Sequence, residues 1–125
     1  MAGQNPEDAH RLFIDAFNAQ DVDALVALYE PDAVLCNKAG KPVRGLQAIR
    51  QAFEAILSSK PQMKLRTRYA IPLGDLALLR SDWEIRGAEA DGIPFEPHRH
   101  SSTEVVRRQP DGTWRYVIDH PFGAD

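Results

Sequence analysis

Histidine and carboxyl side chains that could move protons are concentrated near the C-terminal end of the sequence. His100 and Glu104 lie in one segment, and Asp119 and His120 lie in the next. Histidine, glutamate and aspartate are the side chains that most often act as general acids and bases. These four residues are therefore the candidate catalytic groups.

The direction in which Glu104 points depends on the hairpin that precedes it. An Asp-Gly pair at 91–92 is typical of a two-residue hairpin turn. With that turn, His100 pairs with Trp83 and Glu104 with Leu79, and both point inward. A carboxyl group beside Trp and Leu is shielded from water, which suits acid–base catalysis. A one-residue bulge would turn Glu104 outward instead.

The closing hairpin leaves two alternatives for the residue beside Glu104. A two-residue turn places Asp119 inward, whereas a three-residue turn over 110–112 places His120 there. The apolar residues Trp114, Tyr116 and Ile118 share a face with His120 and favour the second alternative. Both alternatives stay open on this pattern.

The first half of the sequence predicts three helices that would pack against these strands. Apolar residues recur at three- and four-residue spacing over 9–19 and again over 45–57. Between them, Asp21 is expected to cap a shorter helix that carries Tyr29 and ends at Pro31.

The second half predicts a sheet, because after Pro61 the apolar period changes to two residues. Odd-numbered residues over 63–71 are expected to face the core, including Tyr69 and Ile71. Trp83 is expected to face inward on the next strand. The predicted fold class is α+β, with the helices first and a mostly antiparallel sheet second.

Length and composition limit the function classes. The 125 residues predict one domain over 1–125. Apolar runs are too short to span a membrane and the N-terminus does not resemble a signal peptide, so we expect a cytoplasmic protein without a membrane partner. With a net charge of −3 and scattered basic residues, we expect no nucleic-acid partner. The single cysteine, Cys36, is interpreted as a small apolar residue.

Three segments resemble small SnoaL-like proteins, which belong to the superfamily of nuclear transport factor two and ketosteroid isomerase. They are AFNAQDVDALVALYEPDAVL over 16–35, GKPVRGLQAIRQAF over 40–53 and STEVVRRQPDGTWRYVIDHP over 102–121. The resemblance implies a cone-shaped fold in which three N-terminal helices and a strongly curved sheet enclose a pocket. It also implies a homodimer, because a second subunit often covers the outer sheet face.

The residues that steroid isomerases use are only partly present. The resemblance aligns their tyrosine donor with Phe13 and their general-base aspartate with Asn37, and neither can take that role. Their protonated oxyanion-hole acid aligns with Glu104, and the same alignment favours Asp119 over His120 in the pocket. Steroid isomerase activity is therefore disfavoured.

Together these patterns predict cofactor-free isomerisation, cyclisation or dehydration of a small apolar carbonyl compound. Glu104 is expected to move the proton, assisted by His100 and by Asp119 or His120. The expected pocket residues are Phe13, Phe17, Tyr29, Asn37 and Trp83. A non-catalytic ligand-binding or oligomerisation domain is the alternative, because the fold alone does not define a function.

A metal site is disfavoured, although one pattern resembles it. His98, His100, Glu104 and His120 follow the order of the cupin metal ligands. Cupins are all-β proteins, whereas three helices are predicted for this chain. We therefore expect neither a metal nor another cofactor.

Overall fold

The computed structural model describes residues 5–86 and 98–125, with the backbone alone at His98. The elements are α1 (Asp8–Asn18), α2 (Val22–Val26), β1 (Tyr29–Cys36), β2 (Pro42–Arg44), α3 (Leu46–Leu57), β3 (Gln62–Leu73), β4 (Leu76–Arg86), β5 (His98–Arg108) and β6 (Trp114–His120). The six strands form one sheet in the order β2-β1-β6-β5-β4-β3. Only the β1–β6 pairing within this sheet is parallel, so the predicted α+β class with a mostly antiparallel sheet is confirmed.

The helices cover one face of the sheet. Helix α1 packs on β3 and β6, and α3 packs on β1 and β2. Phe13 and Phe17 from α1 and Ile49 and Phe53 from α3 are buried in the core between the layers. None of the helices in the described ranges is long and apolar enough to cross a membrane.

The second helix is shorter than predicted. The Asp21 side chain caps it as expected, accepting a hydrogen bond from the backbone N–H of Ala24 at 3.0 Å. The helix nevertheless ends at Val26, and Tyr29 begins β1 instead of continuing the helix. Pro31 is tolerated inside β1 because the pairing with β6 is irregular there, and proline has no N–H to donate.

A bulge in β3 corrects the predicted direction of its second half. The pairing with β4 shifts between Thr67 and Tyr69. Tyr69 and Ile71 therefore turn away from the core, and Ile71 is 55% exposed. The alternation of residue types predicted that both side chains face the core, because alternation does not reveal an extra residue in a strand.

Strands β4 and β5 pair in the predicted register. His100 lies opposite Trp83, and Glu104 lies opposite Leu79. Glu104 is consequently buried on the inner face of the sheet. The Asp-Gly pair at 91–92, on which the prediction depended, lies outside the described residues.

A second bulge, in β6, determines which side chain lies beside Glu104. The strand begins in the register of a three-residue turn, which buries Tyr116. Val117 is then an extra residue, and the pairing with β5 moves by one position. Asp119 therefore lies opposite Glu104, whereas Ile118 turns outward and is 43% exposed. An inward Ile118, which belonged to the alternative with His120 in the pocket, is therefore not observed.

We expect the Asp21→Ala variant to lower the free energy of unfolding by about 1 kcal/mol, because the Ala24 N–H loses its acceptor. The Asp21→Asn variant keeps a side-chain oxygen and should retain most of this stability. Urea unfolding followed by circular dichroism measures both. Equal losses in the two variants would contradict a capping role.

Candidate functional site

A cavity of about 320 Å³ lies between the helices and the inner face of the sheet. Its wall is largely apolar, with the aromatic residues Phe13, Phe17, Phe53, Trp83 and Phe122 among the lining residues. Polar side chains enter the wall mainly from adjacent positions on β4, β5 and β6. The cavity therefore combines a largely apolar enclosure with a polar region on the sheet, and Asn37 and Lys38 add polar groups just after β1.

Four of the five side chains expected around a pocket border this cavity. They are Phe13, Phe17, Asn37 and Trp83. Tyr29 does not border it, because this residue starts a strand and is buried behind Asp119. Tyr29 supports the site from that position without lining it.

Glu104 contacts a histidine that the sequence analysis did not select. Its Oε1 atom makes a short hydrogen bond with Nε2 of His10 on α1, and the two residues are only 3% and 2% exposed. The other ring nitrogen of His10 lies 2.7 Å from the Thr67 hydroxyl. A chain of polar groups thus runs from β3 through α1 to β5.

A signal for His10 was present in the sequence. His10 precedes Phe13 and Phe17 by three and seven residues, so all three share one face of α1. A histidine on an otherwise buried helix face requires a polar partner within the fold. The sequence could suggest that a partner exists, but not that it is Glu104.

The second carboxyl oxygen of Glu104 has no hydrogen-bond partner among the described residues, although it is buried. An unpaired buried polar atom costs about 1–3 kcal/mol. Glu104 borders the cavity. A donor on a bound molecule could therefore form a hydrogen bond with the Oε2 atom.

Asp119, opposite Glu104, is a carboxyl group of a different kind. It accepts a hydrogen bond from the Tyr29 hydroxyl at 2.5 Å. Burial and then the charge of Glu104 raise the pKa of Asp119 to about 8, although the bond from Tyr29 lowers it. At neutral pH Asp119 is therefore mostly a neutral acid that can donate a proton.

Tyr116 supplies a second donor. It is buried and borders the cavity, and its hydroxyl forms no hydrogen bond within the part of the chain that the structure describes. Burial and then the charge of Glu104 hold the pKa of Tyr116 well above its usual range, so the hydroxyl keeps its proton. Its ring lies 6.1 Å from that of Phe13.

Residues 10–117 match the family described as the SnoaL-like domain. The chain belongs to the SnoaL-like family. No curated protein matches this SnoaL-like chain.

Several solved structures share its fold. A ketosteroid isomerase-like protein from Erwinia carotovora atroseptica is 21% identical, with a TM-score of 0.78 over 91% of this chain and 89% of that one. A proposed association domain of calcium/calmodulin-dependent protein kinase type II from Thiobacillus denitrificans is 22% identical, with a TM-score of 0.78 over 96% and 95%. A proposed dehydratase of the NTF2-like family from Streptomyces avermitilis is 16% identical, with a TM-score of 0.74 over 90% and 89%. These likenesses establish the cone fold of the superfamily.

His100 faces inward in this SnoaL-like domain but does not border the cavity. Its ring centroid lies 4.8 Å from those of Trp83 and Phe122. Its Nδ1 atom lies 2.8 Å from an Asp125 carboxyl oxygen. The structure therefore does not bring His100 to the position expected of a partner of Glu104.

His120 is also separated from the cavity. The bulge in β6 places it opposite Thr103, on the other face of the strand from Asp119. Of the two alternatives for this hairpin, Asp119 takes the inner position. The imidazole beside Glu104 comes instead from His10.

The described residues contain no group of three or more His, Cys, Asp and Glu side chains arranged to hold a metal ion. The His98 side chain, part of the cupin-like pattern, lies outside the description. Cys36 borders the cavity, and burial raises the pKa of its thiol, with Asp119 adding to the effect. The thiol therefore stays protonated and is a poor nucleophile.

The Asp119→Asn variant tests the protonation of the buried acid. Because folding raises the pKa of Asp119 from 3.8 to about 8, the folded state binds the extra proton. The contribution of Asp119 to the free energy of unfolding is then largest near or below pH 4 and falls as pH rises towards 8, by at most about 1.4 kcal/mol per pH unit. The variant keeps an oxygen for Tyr29 and should show a flatter dependence.

Urea unfolding at several pH values between about 5 and 8 measures this slope. Asp15→Asn, at a position whose side chain is 69% exposed, is the control and should parallel the wild type. An Asp119→Asn slope equal to that of the wild type would show that another group binds the proton.

Proposed function

We propose that this SnoaL-like domain is an enzyme that carries out acid–base chemistry on a small, neutral, apolar carbonyl compound, without a cofactor. The observation that carries the proposal is the unpaired Glu104 oxygen beside the neutral acid Asp119, both at one apolar cavity. Two carboxyl groups in different environments supply a base and an acid at the same pH.

The reaction begins with removal of a proton from the carbon next to the carbonyl group by the ionised Glu104, at Oε2. The C–H electron pair forms the carbon–carbon double bond of an enolate, and negative charge develops on the carbonyl oxygen. Asp119 and the Tyr116 hydroxyl donate to that oxygen. His10 holds the other oxygen of Glu104 and fixes the orientation of the carboxyl group.

The fate of the enolate defines the reaction class. Return of the proton from Glu104 to a different carbon gives isomerisation. Expulsion of a hydroxyl group from the neighbouring carbon, with a proton to form water, gives dehydration. Attack of the enolate carbon on a second carbonyl of the same molecule gives cyclisation.

The cavity supports a compact and uncharged substrate. Its volume of about 320 Å³ lies near the lower end of the usual range for small-molecule sites. The wall offers few polar groups, and burying a charge there without a partner is costly. A monocyclic or bicyclic ketone fits both conditions. The similar structures described as a ketosteroid isomerase-like protein and a proposed dehydratase support this class of reaction.

A non-catalytic ligand-binding or oligomerisation domain is the second candidate. The resemblance to the steroid isomerases aligns Phe13 and Asn37 with their tyrosine and their general base, and neither side chain can take that role. The likeness to a proposed kinase association domain also favours it. In this case the cavity would bind a molecule without exchanging its protons.

Proton exchange distinguishes the two candidates without a known substrate. Small apolar ketones, including cyclic enones and bicyclic ketones, are incubated with the protein in D₂O, and deuterium incorporation is measured by mass spectrometry. We expect exchange above the buffer rate with the wild type. The Glu104→Gln variant should exchange at a rate at least about 100-fold lower, because the amide cannot accept the proton.

Glu84→Gln is the matched control, because Glu84 is a half-buried carboxyl group on β4 outside the cavity lining. It should exchange at the wild-type rate. Full exchange by Glu104→Gln would remove the proposed base. Binding of the ketones without exchange by the wild type would favour the non-catalytic candidate.

We also propose that the domain forms a homodimer through the outer face of its sheet. Ile71, Leu78, Val105 and Ile118 are adjacent partners across β3, β4, β5 and β6, so their side chains form one row. Ile71, Leu78 and Ile118 are exposed. A continuous exposed apolar surface is typical of a protein interface, and burying it removes apolar area from water.

The Leu78→Lys variant should dissociate this dimer, because it places a charge at the centre of the apolar row. Light scattering coupled to size-exclusion chromatography measures the mass. Glu54→Lys, on the exposed side of α3, introduces the same side chain elsewhere and should leave the dimer intact. A monomeric wild type, or a Leu78→Lys dimer, would contradict the proposal.

A further inference from the structure

Ser81 and Ser102 form a buried hydroxyl pair that the mechanism above does not use. They lie opposite each other on β4 and β5, and both border the cavity. Their Oγ atoms are 2.6 Å apart, and the backbone N–H of Ser81 donates to the Ser102 Oγ at 3.1 Å. Both residues are buried, so solvent does not compete for these bonds.

The pair has one more proton than its own bonding requires. Two hydroxyl groups carry two protons, and the contact between the Oγ atoms uses one of them. In the described ranges, no other acceptor lies within hydrogen-bond distance of either hydroxyl. Whichever serine donates to its partner, the other hydroxyl has a proton to give. A bound molecule with an oxygen acceptor would satisfy it.

The position of the serine pair on β5 gives its approximate distance from Glu104. Ser102 is two residues before Glu104 on the same face of β5, which separates them by about 7 Å along the strand. Tyr116 lies on the opposite side, across from Val106. The reacting carboxyl group is therefore flanked by hydroxyl donors in both directions along the sheet.

We infer that the Ser81–Ser102 pair is a second recognition site, which holds a ligand oxygen about 7 Å from the carbon that Glu104 deprotonates. It rests on the proposed function because Glu104 marks the reacting carbon. The substrate class becomes a compact ketone with a second oxygen acceptor at its far end, such as a dione or a keto ether. The hydrogen bond itself forms without catalysis.

Two probes that differ only in this acceptor test the inference. One is a bicyclic enedione of the hexahydronaphthalene type, with its ketones on different rings. The other has the saturated-ring ketone replaced by an exocyclic methylene group of similar shape. Isothermal titration calorimetry with the wild type should show about threefold to tenfold tighter binding of the enedione. If the cavity offered no donor at this position, the enedione should bind more weakly than the methylene probe, because its carbonyl group would lose its hydrogen bonds to water.

The serine variants give a prediction that depends on the proton count. In Ser81→Ala, the Ser102 hydroxyl keeps its own proton, so the preference for the enedione should persist. In Ser81→Ala/Ser102→Ala no hydroxyl remains, and the preference should disappear. Unchanged affinity for the methylene probe serves as the control that the cavity is intact. If the double variant does not fold, Ser81→Ala/Ser102→Cys replaces it, and its preference for the enedione should be reduced because a thiol is a weak donor.

The inference is overturned if the wild type binds the methylene probe as tightly as the enedione, which includes binding neither. It is also overturned if the folded double variant keeps the preference. If the protein catalyses deuterium exchange but does not prefer the enedione, the serine site is rejected and the catalytic proposal stands. A preference without exchange would leave the serine site and reject catalysis.

Discussion

Two carboxyl groups, Glu104 and Asp119, lie opposite each other on neighbouring strands, and both are buried, with 3% and 5% of their surface exposed. Two negative charges so close in a poorly solvated region would repel each other strongly. Asp119 avoids this by holding a proton, and Glu104 is paired with His10. Because their partners differ, the two groups are chemically distinct although their residue types are similar. The asymmetry depends on both layers of the fold, since His10 comes from helix α1 and Tyr29 comes from β1 of the sheet.

The features of the fold that follow from local chemistry were predictable from the sequence. The apolar period predicted α1 and α3, the Asp21 cap was recognisable, and the change to alternation after Pro61 predicted the sheet. The β4–β5 register also followed, because it depends on residue type and turn length. Phe13, Phe17, Asn37 and Trp83, which were expected around a pocket, border the cavity. Each of these features is determined by residues close together in the chain or by one hairpin.

The remaining features required information that residue patterns do not contain. An extra residue in β3 or β6 reverses the faces that follow it, and neither Arg68 nor Val117 differs visibly from an ordinary strand residue. The His10–Glu104 contact joins residues 94 positions apart, so no local spacing reveals the pair. Tyr29 was placed on a helix because its apolar neighbours suit either structure. Sequence patterns therefore pointed to Glu104 and to several aromatic residues that border the cavity, but not to the His10 imidazole.

The irregularity at Val117 links the interior of the domain to its exterior. The same shift that turns Asp119 inward turns Ile118 outward, where it extends the apolar row of Ile71, Leu78 and Val105. A strand that slipped back into regular alternation would exchange the buried acid for an aliphatic side chain and interrupt that row at the same time. The proposed acid–base chemistry and the proposed dimer surface would thus both depend on the displacement of one peptide unit.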